Sequence, residues 1–434
     1  MTDFSSLSPA QRQAHIQASL KKRHAAERRL KFFGISAITL ALSFLAILLF
    51  TVVSNGYTAL QQTETRVQLS LPVEKLVDEE GKIDLEKSAA FNWSGLVKKA
   101  FRAQFPDVKG MSDRRALTDL ISANAGYELR QEIEKKGSID LPAGEYWIKT
   151  SDDVDMLMKG RMSRDIPENQ RRLKDQQIAW LDELIEQDNV RLVFNKAFFT
   201  KADSREPESS GILGAVVGSA MALVVTVILA LPLAVMAAVY LEYFARPGRL
   251  TDFIEVNINN LAAVPSIVFG LLGLAVFLGF FGMPRSAPLV GGMVLALMTL
   301  PTIIIATRAS IRAVPPSIRD AALGVGASPM QAALDHVLPL AGPGILTGTI
   351  IGVAQALGET APLIMIGMVA FIVDVPTSIT SPATALPVQI FIWSDSAERA
   401  FYERSSLAIV FLLMFLILMN LSAVLLRRKL EKKW

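Results

Sequence analysis

Apolar residues in this chain are gathered into long blocks separated by polar stretches, and they do not follow the spacing of surface helices. A helix needs about 20 apolar residues to cross a hydrocarbon layer of about 30 Å. The blocks that meet this requirement are residues 32–53, 211–241, 261–282, 288–306, 342–373 and 406–426. The pattern therefore predicts an all-α polytopic membrane protein with six transmembrane helices.

The region between the first two blocks, residues 54–210, is too long and too highly charged to be a simple loop. Amphipathic spacing predicts helices within 112–137 and 167–187, whereas 145–150 and 190–199 have the composition of strands. We therefore expect an inserted α+β domain. Its acidic and basic residues alternate as on an ordinary solvated surface, so no catalytic residues are predicted there.

Lysine and arginine are strongly biased to one side of the predicted membrane helices. One side carries 17 of them, in the leader 1–31, the loops 242–260 and 307–341, and the tail 427–434. The short loops of the other side carry three, Arg285, Arg399 and Arg404. Because basic residues resist translocation, both termini are predicted to be cytoplasmic and the inserted domain extracytoplasmic. The first helix, 32–53, has the length of a retained anchor.

The composition excludes several kinds of chemistry. The chain of 434 residues is 51% apolar and has no cysteine, which rules out disulfides, thiolate catalysis and cysteine-based metal sites. Its three histidines, His15, His24 and His336, are too far apart in sequence to suggest a metal cluster. We therefore predict no metal site and no cysteine-based catalysis.

The predicted loop 307–341 has the signals of two short helices. Ser317, with Asp320 three residues later, resembles a capping box, and Gly324 and Gly326 are expected to end that helix. Ser328, followed by a proline, is expected to begin the second helix. A rigid unit of this kind could sit in a groove on a partner, although any connection of this length can fold into short helices.

The spacing of residues in this loop resembles the EAA loop of bacterial ABC importer permeases. The residues that carry the resemblance are Asp320, Ala321, Ala322, Gly326, Leu338 and Pro339. Asp320 replaces the family's glutamate, and His336 stands where an isoleucine is usual. The resemblance implies that the loop docks on an ATPase subunit. The chain has no G-x-x-x-x-G-K-[ST] loop, so ATP and Mg²⁺ are expected on that partner, and no cofactor is expected on this chain.

Two further stretches, "VPSIVFGL" and "GETAPL", are similar to segments of the PstA-type permeases of phosphate ABC importers. The resemblance covers about residues 211–426, and residues 1–210 resemble the extra N-terminal region of the longer members. It implies a phosphate permease of the bacterial inner membrane with several partners. Those partners would be a PstC-type permease, two PstB-type ATPase subunits and a PstS-type phosphate-binding protein.

Glu359 is the one charged residue within the six predicted helices. A charge at mid-bilayer costs at least about 2.5 kcal/mol, so it usually has a function. Gly358 and Pro362 flank it, and proline cannot donate to the helix ladder, which predicts a broken helix. Glu359 could accept a hydrogen bond from the hydroxyl group of protonated phosphate, or it could pair with an arginine and set its position. The alternative is a structural cap of the half-helix that begins near Thr360.

Arg308 and Arg312, spaced i and i+4 beyond the fourth block, are the candidate cations of the phosphate pathway. Their alternative role is to anchor the helix end at the lipid headgroups. Two other functions stay open at this point. One is a permease for another oxyanion such as sulfate, molybdate or a phosphonate. The other is a membrane sensor that uses the inserted domain, although its predicted cytoplasmic tail has only eight residues.

Overall fold

A computed structural model of the chain describes residues 9–78, 82–137, 139 and 143–430. Two compact units are present, one ending at Asn55 and the other beginning at Gly56. The described residues of the first unit, 9–55, lie in one long helix, α1 (Pro9–Gly56), which contains the predicted first span and whose last residue belongs to the second unit. Residues 1–8 of the predicted leader and 431–434 of the predicted tail lie outside the described residues.

The second unit starts with residues 57–210, called the inserted domain below. Its three strands are β1 (Gln61–Ser70), β2 (Ala143–Lys149) and β3 (Val190–Phe194), in the antiparallel order β2-β1-β3. Its helices are α2 (Leu85–Ala90), α3 (Trp93–Ala103), α4 (Met111–Thr118), α5 (Ala125–Lys136), α6 (Asp152–Met158), α7 (Asp175–Glu186) and α8 (Lys196–Thr200). The α+β class is confirmed.

The central strand, β1, was not predicted from the sequence. Its buried side chains include Thr63 and Thr65, which hydropathy alone assigns to the surface. The amide of Thr63 donates to the Asp155 carboxylate at 2.7 Å, and the Thr65 hydroxyl donates to the Asn189 carbonyl at 3.1 Å. Because the Thr63 backbone amide and the Thr65 hydroxyl find partners in the interior, these two groups can be buried without a large penalty.

The helix predicted within 112–137 is divided into α4 and α5. Between them Ile121 forms an isolated antiparallel bridge with Thr150, next to the end of β2. The segment between the helices thus adds to the edge of the sheet, and its backbone cannot complete the helix ladder. The amphipathic spacing is present on both sides of the interruption, so the spacing alone did not reveal it.

Residues 211–430, called the membrane core below, contain the remaining helices. They are α9 (Leu213–Val239), α10 (Arg249–Ala262), α11 (Ser266–Leu272), α12 (Pro288–Arg312), α13 (Pro316–Gly324), α14 (Pro329–Gln331), α15 (Leu338–Gly358), α16 (Ala361–Met365), α17 (Leu386–Ser394) and α18 (Ala400–Leu430). Within the described residues, five helices can cross a membrane, or six if one bent pair counts as a span. This confirms the predicted polytopic class. Below, the domain end of the membrane core is the end nearest the inserted domain, and the loop end is the opposite end.

The third predicted span, 261–282, is wrong as a straight helix. The chain instead forms α10 and α11, which meet at an angle of 104°. Pro265 caps α11 and cannot donate an amide hydrogen bond, so the ladder of α10 stops before it. A π-helical segment, Gly273–Phe280, extends α11. The predicted apolar block corresponds to only one of the two helices in this bent pair.

The fifth predicted span, 342–373, differs at both ends. Helical structure starts earlier, at Pro329, and continues through a π-helical segment, Ala332–Val337, into α15 without a break. It stops at Gly358, well before residue 373. The apolar residues that follow form the short helix α16 and an irregular stretch. They remain buried in part, which is why their composition resembles that of a span.

The helices α9 and α12 pack closely against each other in the membrane core. A Cβ on Gly292 would lie 2.5 Å from the Cβ of Val225 and 2.6 Å from the carbonyl oxygen of Ala222. The Thr226 hydroxyl donates to the Gly292 carbonyl at 3.1 Å. Small residues at such a crossing let two helix backbones approach closely within a membrane.

Charged side chains removed from solvent join the inserted domain to α18. The Lys159 ammonium donates to Glu403 at 2.8 Å and lies 2.5 Å from Asp155. The exposed fractions of the three side chains are 0% for Lys159, 2% for Asp155 and 4% for Glu403. The Thr58 hydroxyl donates to the second oxygen of Glu403 at 2.7 Å. These contacts fix the domain on the first turn of α18.

The segment that connects the inserted domain to α9 is also buried. Arg404, fully buried, donates to the Ser210 carbonyl at 3.2 Å and to the Gln62 side chain at 3.3 Å. Glu208 is 1% exposed, and burial raises its pKa to about 7. Protonation spares this carboxyl group much of the cost of burying a charge. The connecting segment is therefore part of the packed interface between the inserted domain and the membrane core.

Candidate functional site

The predicted break in the fifth membrane helix is present at Glu359. The α-helical ladder of α15 ends at Gly358, and Glu359 has extended backbone angles, with φ −77° and ψ 123°. The next helix, α16, begins at Ala361 and has Pro362 in its first turn. Proline is tolerated in a first turn because the amides there have no partner within the helix. Glycine and proline together therefore explain why the chain breaks here.

The bent pair lies against this break. A Cβ on Gly270 of α11 would be 2.7 Å from the Cα of Pro362 and 2.9 Å from the Cβ of Met365. A Cβ on Gly273 would be 2.4 Å from a methyl group of Val294. These glycines allow α11 to pack closely on α16 and α12. Two interrupted membrane segments are thus packed together in the core, an arrangement that is known from transport proteins with discontinuous helices.

The side chain of Glu359 is partly buried. Over the described residues, it has no ion pair within 4.0 Å and no side-chain hydrogen bond. Gln355, one helical turn earlier, is exposed. A carboxylate at a helix break with an exposed amide beside it has acceptor positions that an incoming donor can use. Its backbone stands at the C-terminal end of α15.

Glu359 is the one charged residue within the predicted blocks, but the helices of the structure are longer than those blocks and contain further charges. The second, fourth and sixth extend beyond the predicted blocks, and they include Glu242, Arg308, Arg312, Glu403 and Arg404. All of these lie near helix ends. Glu359 differs from them because it stands at a break between two helical segments.

Arg308 and Arg312 form an ion cluster with two glutamates. The Arg308 guanidinium donates to Glu242 at 2.6 Å and to Glu255 at 2.5 Å, and Arg312 donates to Glu242 at 2.9 Å. The cluster joins the loop end of α12 to the middle of α10 and to the π-helical segment Tyr240–Phe244, which extends α9. Two cations face two carboxylates, so the local charge is balanced. In the part of the chain that is described, no ion pair links either arginine to Glu359.

The loop between the fourth and fifth spans has the predicted glycine turn but another cap. The helix α13 begins at Pro316 without a side-chain cap, so the proposed capping box of Ser317 and Asp320 is wrong. A capping box forms instead between Ser328 and Gln331. Gly326 has φ +94°, a conformation that favours glycine. Proline before α13 fixes the start of that helix without the help of a polar cap.

The six residues of the EAA resemblance are divided between an exposed and a packed group. Asp320, Ala321, Gly326 and Pro339 are exposed, whereas Ala322 is buried and Leu338 is partly buried. The exposed fraction is 86% for Val325 and 52% for Met330, next to the glycine turn. Arg319 lies over the Tyr243 ring at 5.1 Å, which attaches α13 to the end of the second span. The tip therefore presents an exposed apolar surface.

Glu242 and Glu255 are the residues that reasoning from sequence did not identify. They lie 66 and 53 positions from Arg308, so no local spacing connects them with it. The sequence contained only a weak signal for these two residues. Each is a carboxylate close to an apolar segment on the side that is rich in arginine, where an ion pair reduces the cost of partial burial.

The chain matches two family models. One, described as "Binding-protein-dependent transport system inner membrane component", matches residues 230–434. The other, described as "Domain of unknown function (DUF3333)", matches residues 17–168. The first match covers most of the membrane core. The second covers the larger part of α1 and much of the inserted domain.

Several known proteins are similar in sequence. "Phosphate transport system permease protein PstA 2" of Mycobacterium bovis is 31% identical over 223 residues, which are 50% of this chain and 73% of that protein. "Phosphate transport system permease protein PstA 1" of Mycobacterium tuberculosis is 29% identical over 222 residues, 51% and 72% of the two chains. Among solved structures, the inward-facing MetNI methionine ABC transporter aligns with a TM-score of 0.40 at 16% identity, over 51% of this chain and 95% of that one.

Proposed function

This chain belongs to the PstA family of phosphate transport permeases, and we propose that it carries phosphate past Glu359 at the break between α15 and α16. It is a permease subunit of a phosphate importer and a multi-pass protein of the inner membrane. It works in a membrane complex with an ATPase and a permease partner. The observation that supports the proposed path is the carboxylate of Glu359, which has no ion-pair partner among the described residues.

A carboxylate repels an anion, so its role must come from hydrogen bonding. Phosphate carries at least one hydroxyl proton at neutral pH, whereas sulfate carries none. Glu359 would accept a hydrogen bond from that hydroxyl, and the bond would be strengthened by the carboxylate charge. Sulfate would meet the same carboxylate without a proton to share. The site would thus favour phosphate partly by rejecting its fully deprotonated analogue.

The two arginines would serve the pathway only after a rearrangement. Arg308 and Arg312 are engaged by Glu242 and Glu255. An anion at this point would have to replace one of these carboxylates. We propose that the cluster opens when the loop end of the core moves during the transport cycle. Until then, these ion pairs would keep both arginines from an incoming anion.

Energy for transport would come from a separate chain. The exposed residues around Gly326 would dock on the ATPase, which would bind ATP and Mg²⁺, and this chain would bind neither. A PstC-type permease would complete the translocation pathway, two PstB-type subunits would hydrolyse ATP, and a PstS-type protein would deliver phosphate. With the loop on the cytoplasmic side, both termini would be cytoplasmic and the inserted domain extracytoplasmic.

We expect Glu359→Gln to reduce phosphate uptake by roughly 10- to 100-fold, since a hydrogen bond to a charged group contributes about 1.5–3 kcal/mol. Uptake of labelled phosphate, with sulfate as competitor, is measured in cells that lack this chain and carry the wild type or a variant. Asp374→Asn, at an exposed carboxylate of the following loop, is the matched control and should transport normally. Glu359→Gln uptake equal to wild type, with equal membrane content, would assign Glu359 to a structural cap. Sulfate inhibition of wild-type uptake would support a broader oxyanion permease.

We expect Gly326→Ala to weaken retention of the ATPase about 5- to 30-fold, because a side chain at positive φ costs about 1–2 kcal/mol. Co-purification of the ATPase with this chain is measured at increasing salt. Gly324→Ala is the control, since its φ is not positive and a Cβ there meets nothing within 4 Å. Equal retention by both variants would place the docking surface elsewhere. A wild-type chain that retains no ATPase at all would favour the membrane sensor.

A further inference from the structure

The inserted domain has an apolar corner beside the membrane core that the proposed transport function does not use. Phe194, at the end of β3, is 58% exposed, and Leu192 on the same face of that strand is 43% exposed. The two side chains follow the buried face of the sheet, because Leu192 is paired with Thr63. Large apolar side chains exposed together usually mark a contact surface. We call Leu192, Phe194 and Phe199 the aromatic corner.

The level of this corner relative to the membrane can be read from α18. Its uninterrupted run of uncharged, mostly apolar residues, 407–426, has the 20 residues that a hydrocarbon layer of about 30 Å requires. Glu403 and Arg404, one turn earlier, are charged. The hydrocarbon boundary at the domain end therefore lies close to Leu407, and Phe411 lies one helical turn, about 6 Å, inside it.

A series of ring contacts links the aromatic corner to that level. The rings of Phe198 and Phe199 lie 6.0 Å and 5.3 Å from the ring of Phe411. Phe199 in turn stacks on Phe194, with centroids 5.5 Å apart and an angle of 8° between the planes. Phe194 is thus two ring contacts away from a residue inside the membrane span.

A second element places an exposed aromatic side chain at the same level. Gly56 lies against the backbone of Leu407, where a Cβ would come within 2.7 Å of the Leu407 amide nitrogen. The next residue, Tyr57, is 57% exposed, and the Arg161 guanidinium lies 5.5 Å from its ring centre. Aromatic rings with nearby cations are typical of the boundary between hydrocarbon and headgroups.

The corner is held rigidly, so its exposed rings cannot simply fold back onto the protein. The Asn195 amide donates to the Leu60 carbonyl at 2.8 Å, and its side-chain amide donates to the Ala59 carbonyl at 3.0 Å. Its side-chain oxygen caps α8 by accepting from the Phe198 amide at 3.1 Å. Lys196, exposed immediately after the cap, supplies a cation at the headgroup level.

We propose that the aromatic corner is a membrane anchor, with Phe194 and Leu192 inserted into the phospholipid leaflet at the domain end. The occupant of this surface is lipid because the rings continue, contact by contact, from a membrane-spanning residue. The exposed Lys196, two residues from Phe194, suits the lipid phosphates. An anchor of this kind would hold the inserted domain close to the membrane surface on the side of β3.

The test uses the absence of cysteine from the chain. A single thiol is introduced by Phe194→Cys, labelled with an environment-sensitive fluorophore, and placed in the assembled transporter with cysteine-free partners in phosphatidylcholine vesicles. Met111→Cys, in α4, is the control, since Met111 is 88% exposed and does not belong to the corner. Vesicles containing a phospholipid with a nitroxide near its headgroup should quench the label at position 194 several-fold more than the label at 111.

Leu192→Cys provides an independent position if the Phe194 variant assembles poorly. Equal quenching at the corner and at position 111 would overturn the proposal. The same conclusion would follow from a blue-shifted label that lipid nitroxides do not quench, because protein would then cover the corner. The covering protein would be the first membrane helix or the permease partner, and cross-linking from position 194 would separate the two. A strong lipid quench at both 194 and 192 supports the anchor.

Discussion

Lys159→Met is expected to destabilise the second unit of the chain by about 3–5 kcal/mol, since it leaves two buried carboxylates without their shared cation. The Lys159 ammonium lies 2.5 Å from Asp155 and 2.8 Å from Glu403, and none of the three side chains is more than 4% exposed. The midpoint of thermal unfolding of the purified protein measures the effect. Loss of the ion pair should also release the inserted domain from α18, which limited proteolysis would detect.

Two controls make this result specific. Lys136→Met breaks an exposed pair with Glu132, 3.0 Å apart, and should change stability by less than about 1 kcal/mol. The triple variant in which Asp155→Asn and Glu403→Gln accompany Lys159→Met removes the uncompensated charges and should recover part of the loss. If Lys159→Met lowers the stability as little as Lys136→Met does, water reaches the interface between the inserted domain and α18. The charges there then do not stabilise one another.

Gly292→Ala is expected to destabilise the membrane core by about 1–3 kcal/mol through overpacking. The new methyl group would lie 2.5 Å from the Val225 Cβ and 2.6 Å from a backbone oxygen of Ala222, and neither atom can move without shifting α9. The Thr226 hydrogen bond to the Gly292 carbonyl would lengthen with the helix separation. The unfolding midpoint in detergent measures this, together with the fraction of protein that remains monodisperse.

Gly342→Ala is the matched substitution for this experiment. It also lies within a membrane helix, but a Cβ there meets nothing within 4 Å. The substitution then changes stability through helix propensity alone, which favours alanine over glycine by up to about 1 kcal/mol. We therefore expect Gly292→Ala to lower the stability and Gly342→Ala to raise it. A Gly292→Ala variant as stable as Gly342→Ala would show that the contact between α9 and α12 relaxes easily.

The six membrane segments could be predicted because burial in lipid requires long apolar blocks, which are visible in composition. The path of the chain within each block could not. A proline at 265 turns α10 and α11 through 104°, whereas Pro232 within α9 and Pro301 within α12 leave those helices long. Whether a proline bends or breaks a helix depends on the packing around it, which no local pattern records.

The candidate site was predicted in part for the same reason. A carboxylate between Gly358 and Pro362 is a local signal, and the helix does break there. The partners of Arg308 depend on tertiary structure, because Glu242 and Glu255 come to it from two other helices. Similarly, β1 was missed because the Thr63 backbone amide and the Thr65 hydroxyl bond to Asp155 and Asn189, which are distant in sequence. Local chemistry could be read from the sequence, and long-range pairing could not.

The continuous helix from Pro329 to Gly358 has a mechanical consequence. Its 30 residues form a rod about 45 Å long, with the capping box at Ser328 at one end and Glu359 at the other. No loop lies between them to absorb a displacement. A tilt of about 10° about one end would move the other by roughly 8 Å, a distance set by the rise of 1.5 Å per residue. The loop surface and the acidic break therefore lie at the two ends of one continuous helix.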